Sequence, residues 1–293
     1  MDKNIGSKLG KDINNYIDQL IQELKSGGSD KFKEFLKFSS NFRKYSTNNM
    51  ALIKMQLPTA SQVGSFALWK SLGRSVKKGE KSLKIYGFSK YKSVTVNKKT
   101  QEETEHEFVA FPIVSVFDVS QTDGEEIPKW DIKPEGDDDK GLYDLLKKEI
   151  ESTTDIKVIE EKLNGPLGTA QIGKIKVCTD QGKVSKFVSL THELAHVKLG
   201  HVKPDCKLTR QQRECQAEAT AYIVCCHFGI ESIASVEYLL HWGNNEKEFK
   251  THLDAVLKVS QEIFKMFGET KFEKQQTINN QKYANKNGTK LAA

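Results

Sequence analysis

The run Thr191-His192-Glu193-Leu194-Ala195-His196 sets two imidazoles four positions apart, with a carboxylate directly after the first. On a helix that spacing brings both rings to one face. There they can reach one tetrahedral cation and leave room for a third protein ligand and a water. Zn²⁺ suits such a donor set and lowers the pKa of a bound water to roughly 7. Glu193 is then placed to act as general base, the catalytic residue of a metal-assisted hydrolysis. At about 100° per residue, Phe187, Leu190, Leu194 and Val197 form an apolar stripe opposite His192 and His196. One face is built for a core and the other for chemistry, and Gly200 offers a helix stop.

A third ligand is expected from a second helix. The segment Arg213-Glu214-Cys215-Gln216-Ala217-Glu218-Ala219-Thr220-Ala221-Tyr222 is rich in helix formers. Glu214 and Glu218 share a face with the small residues Ala221 and Cys225, which allow close approach. Glu214 lies 18 positions after His196, enough chain for a turn and an antiparallel return. This spacing resembles the thermolysin-like zincins, in which a Glu ligand is followed four residues later by an acid that orients a ligating histidine. The resemblance implies that Glu214 is the metal ligand and Glu218 the acceptor for an imidazole N–H, with the exchanged order as the alternative. His201 is a weaker candidate. It stands five positions after His196, where the metzincin pattern needs six, and Gly200 turns the chain before it. Cys206, Cys215, Cys225 and Cys226 lack paired C-x-x-C spacing, which argues against a separate structural zinc site.

The chain of 293 residues, 37% hydrophobic and 29% charged, fits a globular protein of two domains. It has no apolar run of transmembrane length and no secretory signal at Met1-Asp2-Lys3-Asn4. All five cysteines lie in the second half without a disulfide framework. The expectation is a cytoplasmic protein with no membrane partner. The net charge of +6 hides a division. Residues 31–92 hold fourteen Lys/Arg against Glu34 and Glu80, whereas residues 100–170 hold nineteen Asp/Glu against seven Lys. A basic block followed by an acidic one implies units with different partners.

The elements that must position these groups read as α+β. Residues 12–55 carry helical periodicity (Ile13, Ile17, Leu20, Leu24, then Phe32, Phe35, Leu36, Phe42), broken at Ser26-Gly27-Gly28-Ser29 and closed by Pro58. Phe66–Leu72 reads as a short helix or turn, and 76–81 as a tight basic turn. Leu83–Phe88 and Phe108–Phe117 read as strands, with a charged hairpin arm between them. A helix is expected over 142–152, a strand over Gly173–Cys178, then the histidine and glutamate helices and a helix near 247–267. The strand before the histidine helix offers an edge for an extended peptide. The expected layout is an α+β nucleic-acid-binding domain over 1–122, an acidic linker over 123–140, a mainly helical metal domain with a small sheet over 141–268, and a disordered tail over 269–293, where Gln, Asn and Lys dominate.

A second pattern lies in the basic block. Arg43-Lys44-Tyr45-Ser46-Thr47-Asn48-Asn49-Met50 is followed by Gly64-Ser65-Phe66-Ala67-Leu68-Trp69-Lys70-Ser71-Leu72-Gly73-Arg74. Then come Val76-Lys77-Lys78-Gly79-Glu80-Lys81 and Val116-Phe117-Asp118-Val119-Ser120-Gln121-Thr122. This order resembles the ArdC-like antirestriction proteins of conjugative plasmids and related mobile elements, including LtrC-like proteins. The likeness runs over about 30–122 and resumes around 187–242, with Tyr238 and Trp242. It implies an N-terminal single-stranded-DNA-binding domain joined to a C-terminal zincin-type metallopeptidase domain, and a role in protecting incoming DNA during conjugation.

The residues allow the same partner on physical grounds, because Lys and Arg neutralise phosphates while aromatic rings stack bases without regard to sequence. Arg43, Arg74, Lys77, Lys78 and Lys81 are the candidate phosphate contacts. Tyr45, Trp69 and Tyr86 are candidate stacking residues, with a core role weighed against stacking for Trp69 above all. Asn48 and Asn49 are candidate polar contacts. Two other functions compete. One is a DNA-binding protector whose metal site is not catalytic. The other is a regulatory endopeptidase similar to the ImmA/IrrE group, acting on a repressor. In either peptidase reading the protein substrate is unidentified.

Overall fold

The computed structural model describes residues 3–96, 103–127, 137, 139–230 and 246–288. The fold is mixed α+β, in two compact units that interleave along the chain. Unit 1 comprises Met1–Leu9, Leu52–Lys129 and Glu269–Ala293; unit 2 comprises Gly10–Ala51 and Trp130–Gly268. This division departs from the linear one read from charge. Charge blocks report on surfaces, whereas units are set by which apolar faces bury together. Helix α1 (Lys3–Lys25) and helix α2 (Asp30–Ser39) bury Ile17, Leu20, Phe32, Phe35 and Leu36. Phe32 packs on Phe249, with ring centroids 5.5 Å apart, inside unit 2. Helix α3 (Thr47–Gln56) completes the N-terminal helices.

Unit 1 is built on strand β1 (Val63–Gly64), helix α4 (Phe66–Ser71), β2 (Arg74–Val76), β3 (Leu83–Tyr86), β4 (Ser89–Val96), β5 (Glu103–Ala110), β6 (Ile113–Asp118) and β7 (Thr122–Gly124). The sheet order is β1-β6-β3, antiparallel throughout, with β4–β5 as a hairpin and β2–β7 as a further pair. Strand β3 buries Leu83 and Ile85 and turns Lys84 and Tyr86 outward, the period of two expected of a half-buried strand. Ser65 caps α4 by accepting from the Leu68 N–H. Trp69 is fully buried and donates its indole N–H to the Phe117 carbonyl at 2.9 Å.

Within the segment expected to be a disordered tail, Lys271–Gly288 is instead helical. After α8 (Glu246–Met266) comes α9 (Lys271–Gly288). Thr270 and Glu273 form a reciprocal cap at its start: Glu273 N–H donates to Thr270 Oγ1 at 3.2 Å and Thr270 N–H to Glu273 Oε2 at 2.8 Å. Phe272 then lies against Trp69, ring centroids 5.3 Å apart. A polar composition underestimates a helix anchored by one cap and one aromatic contact.

In unit 2, helix α5 (Leu142–Thr153) precedes β8 (Lys157–Glu161), β9 (Gly168–Gln171) and β10 (Lys174–Cys178). The order is β8-β10-β9, with β10 parallel to β8 and antiparallel to β9. The strand expected before the histidine helix is therefore central, with both edges paired, and β8 and β9 are the two edge strands of this sheet among the described residues. Neither β8 nor β9 carries the alternating apolar pattern of β10, so both escape a reading by periodicity. Helix α6 (Lys183–Lys198) and helix α7 (Arg210–His227) follow. Phe187, Leu190 and Leu194 are fully buried, the apolar stripe read from the sequence, and Val197 is half-buried. The reciprocal cap of Thr209 and Gln212 starts α7. Among the described residues no helix is long and apolar enough to cross a membrane. Most of the expected acidic linker, including Pro128 and Pro134, lies outside the described residues, as do Tyr238 and Trp242.

Candidate functional site

Helix α6 presents His192 and His196 on the face opposite its buried stripe, and α7 packs so that Glu214 meets them. His192 Nε2 and His196 Nε2 are 3.1 Å apart, and each is 3.4 Å from Glu214 Oε2. The circle through these three atoms has a radius of about 1.9 Å. That radius lies just under the roughly 2.0–2.1 Å at which zinc binds imidazole nitrogen and carboxylate oxygen, so the three atoms could hold one such cation together. His192, His196 and Glu214 form a group able to hold a metal ion. Their side chains keep 22%, 13% and 28% exposure, so the donor group is not sealed from solvent.

Glu218 Oε2 lies 3.3 Å from His192 Nδ1, on the far side of the ring from the donor triangle. Without a cation, burial works against a charge on His192, but hydrogen bonds with Glu214 and Glu218 outweigh it and push its pKa up to about 9. The hydrogen bonds from His192 and His196 hold Glu214 well below the usual carboxylate range. Burial raises the pKa of Glu193. Its side chain lies against β9: a Cβ on Gly168 would come within 2.7 Å of Glu193 Cγ and 3.0 Å of Oε1. The missing side chain at 168 is what lets the carboxylate and the strand edge lie side by side.

Three residues outside the expected ligand set, His201 among them, stand behind His196. Gly200 adopts φ +76°, the left-handed conformation of a helix stop. It turns His201 away from the donor triangle and against the opposite side of the His196 ring. Gln216 and His252 lie buried beyond it. His201 is neutral, its pKa lowered to about 4, chiefly by burial. The available signal was its position just beyond the helix stop, together with a buried Gln on α7. None of the five cysteines is in a disulfide, and none joins the donor triangle.

The candidate DNA contacts divide between the units. Arg43, Tyr45, Asn48 and Asn49 fall in unit 2. Arg43 is corrected to a structural role. Its guanidinium donates to the carbonyls of Phe264 and Gly268 at the end of α8 and lies 5.1 Å over the Phe264 ring. Tyr45 is half-buried against Phe42, with its carbonyl accepting from Gln261. Asn49 is buried, and Asn48 Oδ1 is buried without a hydrogen-bond partner.

In unit 1, Trp69 is likewise corrected to a core anchor, because a fully buried indole offers no face to a base. Arg74 donates to Thr122 Oγ1 at 2.8 Å, Thr122 O at 2.9 Å, Gly124 O at 3.1 Å and Glu125 O, which ties β2 to β7 rather than presenting a cation to phosphate. Tyr86 is half-buried and donates to Gly6 O at 3.0 Å. Lys77, Lys78 and Lys81 are exposed, with Lys77 partly engaged by Ser120 O at 3.0 Å and Asp123 at 3.7 Å. The motif residues around them build the turn. Gln121 donates to Glu80 Oε2 and Lys81 O, both at 2.9 Å, and buried Asp118 accepts from the N–H groups of Ser61, Gln62 and Ser120. Sequence reasoning missed Phe88 and Phe111, which flank the β4–β5 hairpin. They are 53% and 63% exposed, with rings 6.0 Å apart.

Comparison with known proteins agrees with the sequence motifs. Residues 4–119 match the N-terminal domain of anti-restriction factor ArdC. An uncharacterized protein of Bacillus anthracis, pXO2-81, is 28% identical over 274 residues, covering 77% of this chain. The chain spans 45% of that relative's length. Crystal structures of the antirestriction ArdC protein from plasmid R388, one metal-free and one Mn(II)-bound, cover 87% and 90% of this chain and 97% of their own. They are 14% and 15% identical to it, each with a TM-score of 0.47. Over residues 4–119 this chain is therefore similar to the N-terminal domain of the anti-restriction factor ArdC.

Proposed function

We propose that the protein binds single-stranded DNA through unit 1 and hydrolyses a peptide bond at the His192–His196–Glu214 site, protecting DNA that enters a cell by conjugation. The observation that carries the hydrolytic half is the partly exposed donor triangle of His192, His196 and Glu214 with the Glu193 carboxylate, next in sequence to His192, interacting with both imidazoles. His192, His196 and Glu214 would hold a divalent cation, which would polarise a carbonyl oxygen and acidify a water, and two imidazoles with one carboxylate suit zinc. Glu193 takes the proton of the attacking water, its basicity raised by burial, and returns it to the leaving nitrogen. Glu218 holds the His192 ring through Nδ1. The open edge of β9 receives the substrate as an added strand, with Leu167 and Ile172, 58% and 68% exposed, offering apolar contact at its two ends.

For the DNA-binding half, Lys77, Lys78 and Lys81 supply positive charge on an ordered turn, and Phe88 and Phe111 supply exposed rings for bases. The decisive test is Glu193→Gln in the full chain. It retains zinc but no longer cuts a random-sequence peptide library, read by mass spectrometry. It also loses protection of a conjugated plasmid in a restricting host. Protection equal to that of the unmodified chain would make the protein a DNA-binding protector whose hydrolysis is dispensable.

A further inference from the structure

The two histidines of the candidate metal site are held in different ways. His192 Nδ1 faces the Glu218 carboxylate, whereas His196 Nδ1 meets another imidazole, His201 Nδ1, at 3.0 Å. From there a row of side chains crosses the interior of unit 2. His201 Nε2 meets Gln216 Oε1 at 2.8 Å, and Gln216 Nε2 meets His252 Nδ1 at 2.6 Å. His252 Nε2 faces Glu248 Oε1 at 3.8 Å. His201, Gln216 and His252 keep 2%, 4% and 6% exposure, so water does not replace a missing partner.

Each link needs one donor and one acceptor, and the amide sets the direction, because Oε1 only accepts and Nε2 only donates. With the amide in this orientation His201 donates from Nε2, and His252 Nδ1 accepts. The buried His201 ring lies between an imidazole and an amide with no carboxylate at either nitrogen; with its one proton on Nε2 its Nδ1 is bare, so the proton in the first link belongs to His196 Nδ1. The His196 lone pair is then on Nε2, the nitrogen aimed at His192 and Glu214. A reversed amide reverses every link and puts the His196 proton on Nε2, where it would block a cation. Amide direction, imidazole tautomer and coordinating nitrogen are therefore one coupled choice.

We propose that His201, Gln216 and His252 are positioning residues. They form a buried relay that holds His196 in the ring orientation and tautomer a cation requires. The inference rests on the reading of His192, His196 and Glu214 as a metal site. It predicts that zinc affinity depends on residues which touch neither the ion nor the substrate.

The test is zinc affinity of the full-length chain, measured by competition with a chromophoric chelator. His201→Phe and Gln216→Leu are each expected to weaken binding about 10- to 100-fold. Gln216→Glu keeps the acceptor for His201 and should hold zinc within about threefold of the unmodified chain. A purely structural role predicts the reverse order, because a buried carboxylate disturbs a core more than a leucine does. Wild-type affinity in both His201→Phe and Gln216→Leu would overturn the relay alone. Failure of the unmodified chain to take up zinc would overturn the site reading as well. Should the variants fail to fold, ¹⁵N–¹H correlation of the histidine rings in the unmodified zinc form decides. The relay requires protons on His201 Nε2 and His252 Nε2, and a proton on His201 Nδ1 overturns it.

Discussion

Replacing Glu214 by alanine removes one corner of a donor triangle whose sides are 3.1, 3.4 and 3.4 Å. Two imidazoles then remain with no carboxylate between them. Partners that only orient a ligand contribute about 10- to 100-fold to affinity, so loss of a ligand should exceed about 100-fold. Glu218→Ala, which frees His192 Nδ1, falls in the 10- to 100-fold range, and Glu193→Gln stays within about threefold. These differences convert to stability. Zinc at 100 times the dissociation constant of the unmodified chain stabilises it by about 2.7 kcal/mol. At the same free zinc, Glu214→Ala gains at most about 0.4 kcal/mol, Glu218→Ala about 0.4–1.4, and Glu193→Gln about 2 or more. Calorimetric unfolding with and without zinc, beside chelator competition, reads both scales. Equal loss in Glu193→Gln and Glu214→Ala would mean that base and ligand are not separate groups. A larger loss in Glu218→Ala than in Glu214→Ala would exchange the two glutamates.

Three further outcomes are expected. Glu160 accepts from Lys147 at 2.9 Å and Lys186 at 2.8 Å, which joins α5, β8 and the start of α6, and these hydrogen bonds lower its pKa to about 2. Because the folded value lies below the unfolded one, this stabilisation is full above about pH 4.5 and lost as pH falls toward 2. Solvent screening limits it to about 1 kcal/mol. Glu160→Gln should therefore be less stable than the unmodified chain to urea at pH 7, and the gap should narrow at pH 3. A constant gap would remove the electrostatic account. For the DNA-binding half, alanine at Lys77, Lys78 and Lys81 together should flatten the salt dependence of single-strand affinity by up to about 2 in log–log slope. Alanine at Phe88 and Phe111 should weaken affinity by about 1–3 kcal/mol per stacked base while leaving that slope unchanged. Equal affinity of the unmodified chain at low and high salt would exclude phosphate contacts as the main contribution.

Local pattern made much of this protein legible. The i,i+4 histidines, the apolar stripe behind them and the i,i+4 glutamates on a second helix all follow from a period of 3.6 residues, which is a property of the chain alone. The ordered motifs of the basic block likewise pointed to a family without coordinates. Tertiary structure decided what periodicity does not encode. Strands β8 and β9 hold their places by backbone pairing with β10, so their side chains announce little. The C-terminal helix depends on Phe272 finding Trp69. Arg43 and Arg74 read as surface cations, yet their guanidinium groups serve distant backbone carbonyls. Charge and residue type survive in sequence, whereas the partner that satisfies them lies as many as 225 residues away and exists only once the chain has folded.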